Sequence, residues 1–172
     1  MENKHYLFHS VYEITPLTMA ILRQHKAGKT STLIIEEQEE MVVEQSPTKV
    51  VDYACKFFGA SLKGRQEGTR DICGITHKAP ISIDPASGMY FFPTASPSSS
   101  NCSWIAHSHI DQVYKATKQR TEIVFKTGKK VTIPVSFGSV LNQIQRTAQF
   151  RYLLDNRIRY LQKHAVETVA EP

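Results

Sequence analysis

The chain has 172 residues, 41% hydrophobic and 22% charged, a composition that excludes a disordered polyelectrolyte and suffices for one domain with a buried core. Its 21 Lys and Arg outnumber 16 Asp and Glu, and the surplus is uneven: residues 1–45 hold four basic and seven acidic side chains, the rest seventeen and nine. No apolar run approaches the about 20 residues of a membrane span, and MENKHYLFHS lacks the charged start and long apolar stretch of a signal peptide.

In chain order, Val11–Leu22 and Thr30–Ile35 are β-rich runs around a turn at Ala27-Gly28-Lys29, and predict a hairpin. Glu36, Glu37, Glu39, Glu40 and Glu44 cluster next, a density of charge that either shields the basic body or, the favoured reading, keeps an edge strand soluble. Met41-Val42-Val43 is a short strand or a helix entry. Ser46-Pro47 pairs an N-cap serine with proline at the first helical position. Val50, Val51, Ala54, Cys55 and Phe58 then recur at helical spacing until Gly59 ends the helix.

The segment from Cys55 to Pro80, CKFFGASLKGRQEGTRDICGITHKAP, follows. It gathers Lys56, Lys63, Arg65, Arg70 and Lys78 with only Glu67 and Asp71 as acids, and is punctuated by glycines. It reads as a basic loop between a helix and a strand, suited to an anionic partner. Gly59 to Arg65 is a near miss to a P-loop, but Arg65 and Gln66 stand where Lys and Ser or Thr are required.

Ile72–Ile75 and Ile81–Ile83 are strand-like, and Asp84–Gly88 turns into Met89-Tyr90-Phe91-Phe92, a second hairpin. Pro93 to Asn101, PTASPSSSN, reads as a surface loop. Trp104–Val113 returns to the sheet. After the basic VYKATKQRT comes a third hairpin, Glu122–Phe125 with Lys130–Ile133. Ser136 or Ser139 caps a last helix with Val140, Leu141, Ile144, Ala148, Leu154, Ile158 and Leu161 on its apolar face and Arg146, Arg151, Arg157 and Arg159 opposite. The expected architecture is α+β, a single domain over residues 1–164 of antiparallel β-hairpins with a mid-chain helix and a C-terminal helix, and a frayed tail over 165–172.

Chemistry other than binding finds little support. His107 and His109 share a face if their segment is a strand, and Cys73, His77 and Cys102 could join them around zinc, but the spacing matches no compact zinc motif. Cys102, His107 and Asp111 are near in sequence only, which does not make a nucleophile. Trp104, Phe91 and Phe92 are read as core rather than as a stacking platform. Three cysteines without a dense framework suit a reducing compartment. No catalytic residue, metal or cofactor is expected, and the chain reads as a non-enzyme in the cytoplasm with a polyanion-binding surface.

Taken together and in this order, CKFFGASLKGRQEGT, ITHKAPISIDP, YFFPT, CSWIAHSHI and LNQIQRTAQFRYLLDNRI resemble the competence transcription factors of the ComK family, over about Ser46 to Arg159. The resemblance implies a cytoplasmic, nucleoid-associated activator of DNA-uptake genes. Such a protein recognises AT-rich double-stranded DNA chiefly through the minor groove, as a homo-oligomer on paired sites. It acts with RNA polymerase and is turned over through an adaptor of a Clp protease. The aromatic, proline-containing adaptor segment of that family is not matched in YLQKHAVETVAEP. The candidate DNA contacts are Lys63, Arg65 and Arg70, then Lys56, Lys78, Arg146 and Arg151. The alternative is a regulatory module whose basic face binds an acidic protein partner.

Overall fold

The computed structural model describes residues 8–9, 13–26 and 28–169. A seven-stranded sheet runs in the order β1-β4-β3-β2-β7-β6-β5. Its strands are β1 (Phe8–His9), β2 (Thr18–Lys26), β3 (Lys29–Glu36), β4 (Glu40–Val43), β5 (Ile81–Asp84), β6 (Met89–Pro93) and β7 (Trp104–Ala106). All neighbours are antiparallel except β1 and β4. A second, three-stranded antiparallel sheet joins β8 (Ile110–Thr117), β9 (Arg120–Phe125) and β10 (Lys130–Ile133). The helices are α1 (Pro47–Phe57), α2 (Leu62–Cys73) and α3 (Phe137–Val169).

The large sheet is covered on both faces, so its central strands are apolar on both sides rather than alternating. Ile21, Ile34, Phe91 and Trp104 point into one core with Val50, Val51, Ala54 and Leu62 of the α1–α2 pair. Met19, Ile35, Phe92 and Ile105 point into the other, with Ile123, Phe125 and Ile133 of the small sheet and Val140 of α3. Trp104, Phe91 and Phe92 are thus core residues, each no more than 1% exposed.

The α+β class, the antiparallel hairpins, the helix begun at Ser46-Pro47 and the C-terminal helix are as the sequence suggests. The Ser46 hydroxyl accepts from the Lys49 N–H. Val11, Tyr12 and Ala27, parts of the first expected hairpin, lie outside the described residues. Glu36 is not an edge charge: it is buried, and its carboxylate accepts from the Thr15 and Thr18 hydroxyls, both at 3.2 Å. α3 runs to Val169.

Three readings need correction. The supposed basic loop is mostly helix: α2 spans Leu62–Cys73 and contains Gly64 and Gly68. Each glycine costs a helix interior about 1 kcal/mol against alanine, which tertiary anchoring of the inner face outweighs. Ile72 is consequently in a helix rather than a strand, and α2 ends at Gly74, whose φ of 72° is the left-handed cap that glycine adopts without strain. The segment from Trp104 does not stay in one sheet. A 3-10 turn at His107–His109 diverts it, and β8 and β9 form a hairpin around Lys118-Gln119. Finally, the buried stripe of α3 is Val140, Gln143, Thr147 and Phe150, whereas Ala148 and Leu161 are exposed. Polar Gln143 and Thr147 lie inside because their hydrogen bonds are satisfied there.

Candidate nucleic-acid interface

α2 presents two unlike faces. Its inner face carries Leu62, Arg65 and Thr69, at helical spacing. The Thr69 hydroxyl donates to the Pro80 carbonyl at 2.6 Å, and one Arg65 terminal nitrogen donates to the Ile83 carbonyl at 3.1 Å. The outer face carries Lys63, Gln66, Glu67 and Arg70, at i, i+3, i+4 and i+7, which all line one cleft of about 290 Å³. The helix N-terminus is already occupied. Ser61 Oγ accepts from the Gly64 N–H and Asp52 Oδ1 from the Leu62 N–H, each at 3.0 Å. The Leu62 N–H holds the Asp52 carboxyl below its ordinary range, against partial burial, with help from Lys56. Because Gly64 and Arg65 are helical, no P-loop exists here.

The far wall of the cleft is the turn that carries His77 and Lys78. Lys78 has a φ of 48°, the one left-handed non-glycine among the described residues, a geometry costing roughly 1–2 kcal/mol for an L-residue. It is held by α3. Gln143 is 5% exposed, and its amide nitrogen donates to the Lys78 carbonyl at 3.0 Å and to the Pro93 carbonyl at 2.8 Å. The Gln143 carbonyl accepts from Arg146 at 2.7 Å, and Arg146 also donates to the His77 carbonyl. A second cleft of about 240 Å³, lined by His77, Lys78, Gln143 and Arg146, adjoins the first across the strained turn.

Of the seven residues expected at the site, Lys63, Arg70 and Lys78 share the first cleft, and Arg146 shares the second with Lys78. Arg65 belongs to the inner face, its Nε buried without a hydrogen-bond partner. Lys56 lies on α1 and pairs with Asp52 at 2.9 Å. Arg151 lies over the Tyr90 ring, 5.0 Å from its centroid, with Asp155 3.9 Å away. Neither lines the two clefts. Gln143 was missed as a positioning residue, since a glutamine inside an apolar helical pattern gives no sign of which carbonyls it will meet. Gln66, one turn from Lys63, becomes legible from spacing once 62–73 is taken as helix.

Among the described residues, no three His, Cys, Asp or Glu side chains gather as a metal would require. His109 instead has Nε2 2.7 Å from the Pro16 carbonyl. Burial, reinforced by Arg151, lowers the pKa of His107. Burial raises the Cys55 thiol to about 11 and also raises Cys102, which keeps both thiols protonated and poorly nucleophilic near neutrality. No helix among the described residues is long and apolar enough to cross a membrane.

An α+β domain with a cationic cleft on a helix face has the features of a polyanion-binding protein. Comparison with known proteins narrows that class. The family model described as ComK protein matches residues 9–159. The chain is also 39% identical over 148 residues to the competence transcription factor of Bacillus subtilis (strain 168), covering 86% of this chain and 77% of that protein. The chain belongs to the ComK family. No solved structure shows a significant match.

Proposed function

We propose that this chain is a competence transcription regulator that binds double-stranded DNA and activates DNA-uptake genes. The observation that carries the reading is the convergence of Lys63, Arg70 and Lys78 on one cleft whose only acidic lining residue among the described residues is Glu67. None of the three cations has an ion-pair partner among the described residues. Family membership supports the same reading.

AT-rich DNA is the preferred target, entered chiefly from the minor groove. A narrow A-tract groove concentrates negative potential and draws in single Lys or Arg side chains without needing a recognition helix. Lys78 suits insertion because its backbone is fixed before DNA arrives, while Lys63 and Arg70, two helical turns apart, suit phosphates. The cleft offers no flat aromatic platform, which favours duplex over single strands. Binding as a homo-oligomer on paired sites, together with RNA polymerase, completes the proposal.

The test is a gel-shift titration of AT-rich and GC-rich duplexes at several salt concentrations. Tighter retention of the AT-rich duplex, with a steep loss of affinity as salt rises, is the expected outcome. Equal, weak retention of both would instead assign the basic face to an acidic protein partner.

A further inference from the structure

The serine-rich loop 94–103 has clefts on more than one side. Beyond it, away from α2, lies a larger cleft of about 750 Å³ that none of the expected site residues lines. Strand β2 contributes Arg23 and His25, the tip of the β8–β9 hairpin contributes Arg120, and the loop contributes Ser99 and Asn101. The fourth wall is the start of α3, where Ser136 Oγ accepts from the Ser139 N–H. Among the described residues no Asp or Glu lines the cleft.

Arg23 is the telling member. Its backbone N–H donates to the Ser103 hydroxyl at 2.9 Å, which fixes its position, while its side-chain Nε is buried with no hydrogen-bond partner. A guanidinium donor withdrawn from water and left unpaired is unfavourable, and an anion held beside the guanidinium would offset the cost of that burial. The positive end of the 33-residue α3 opens on the same space. Among the described residues no Phe, Tyr or Trp lines it. The chemistry offered is that of donors for phosphate oxygens.

The clefts form a series. The one holding Lys63, Arg70 and Lys78 shares His77 and Lys78 with the one holding Arg146, which in turn shares Thr94, Val135 and Ser139 with the cleft of Arg23 and Arg120. The geometry points to a second phosphate site at Arg23, His25 and Arg120, which takes the backbone of the duplex whose other contacts lie along α2. This rests on the DNA-binding reading. It makes the β8–β9 hairpin and the start of α3 part of the interface, and it assigns them affinity without sequence preference, since phosphates carry no base information.

The experiment measures duplex affinity against salt for the full chain, for R23Q/R120Q, for R120Q alone and for K63Q/R70Q. R120Q covers the case in which half-buried Arg23 is needed for folding, because Arg120 is exposed. Each lost phosphate contact lowers the salt slope by about 0.9. R23Q/R120Q is expected to weaken AT-rich and GC-rich duplexes by the same factor, on the order of 10-fold, and R120Q by a smaller equal factor. Amide resonances of Arg23, Ser99 and Ser139 are expected to shift when the wild-type chain is titrated with AT-rich duplex, and more weakly with inorganic phosphate. If the wild type binds no duplex, the DNA reading itself falls. If K63Q/R70Q loses slope while R120Q and R23Q/R120Q keep wild-type slope and affinity, this site is overturned and the DNA reading survives. Amide shifts with inorganic phosphate but not with duplex would also overturn it, leaving a site for a free anion.

Discussion

The outer face of α2 and the arginines of α3 are alike in charge and differ in what already holds them. Lys63 and Arg70 stand on α2 with no internal ion pair among the described residues and open onto a cleft. On α3, Arg146 is bonded to Gln143 and the His77 carbonyl, Arg151 lies over Tyr90 beside Asp155, and Arg157 is 3.4 Å from Asp71 of α2. A cation committed to an internal carbonyl or carboxylate must give up that bond before it can neutralise a phosphate. The positive charge that a polyanion meets is therefore a subset of the 21 basic residues. On the proposed reading the outer face of α2 meets phosphates, and α3 braces the turn that carries Lys78.

The sharpest way to break that division is at the brace. Gln143→Ala leaves the Pro93 and Lys78 carbonyls without their shared donor and takes from Arg146 one of its two acceptors. With each buried orphan costing about 1–3 kcal/mol, the loss in urea-unfolding free energy should be about 2–4 kcal/mol. Duplex affinity should fall as well, because nothing then holds the Lys78 turn. A variant as stable as wild type would mean that α3 does not brace the cleft.

On the outer face of α2 the effects should reverse in kind. K63Q/R70Q removes two exposed cations that support nothing internally, so its melting temperature should match wild type. Its affinity for an AT-rich duplex at moderate salt should drop on the order of 10- to 30-fold, with a salt slope reduced by about 1.8. Arg151→Gln is the control on α3: weaker packing on Tyr90 and an unchanged salt slope. Equal slopes for the two variants would abolish the contrast.

Within α2 itself the same contrast separates neighbours in sequence. Arg65→Met keeps the aliphatic stem but deletes the bond to the Ile83 carbonyl, and should cost about 1–2 kcal/mol of stability. Because the charge faces inward, the dependence of duplex affinity on salt should stay that of the wild type. A slope reduced by a full phosphate contact would move Arg65 into the interface.

Much of this was legible in the chain, and the parts that were not have physical reasons. Ser46-Pro47 and the helix it begins, and the Ile81–Phe92 hairpin, follow from local rules that tertiary packing then reinforced. The choice among Lys63, Arg65 and Arg70 was open to the same reasoning once 62–73 is taken as helix: Leu62, Arg65 and Thr69 fall on the buried side. Two glycines hid that helix, since their cost is local while the hydrogen bonds to Pro80 and Ile83 that offset it come from residues later in the chain. β8 gave no alternation because residues 114–117 are exposed throughout. The strain at Lys78 could not be read at all, being imposed by a glutamine 65 residues away.

Lys78 also supplies the smallest and most discriminating test. Its left-handed backbone disfavours an L side chain by roughly 1–2 kcal/mol, while glycine there gives back about 0.5–1 kcal/mol through its greater freedom in the unfolded chain. Lys78→Gly should accordingly leave the domain unchanged or more stable by up to about 1.5 kcal/mol, seen as a slightly higher denaturant midpoint. It should nevertheless bind AT-rich duplex more weakly and discriminate less against GC-rich duplex, because the side chain proposed to enter the groove is gone. Stability and binding moving in opposite directions is the behaviour of a residue kept strained for contact. A loss of stability with unaltered preference for AT-rich DNA would make Lys78 a structural corner instead and leave the groove to Lys63 and Arg70.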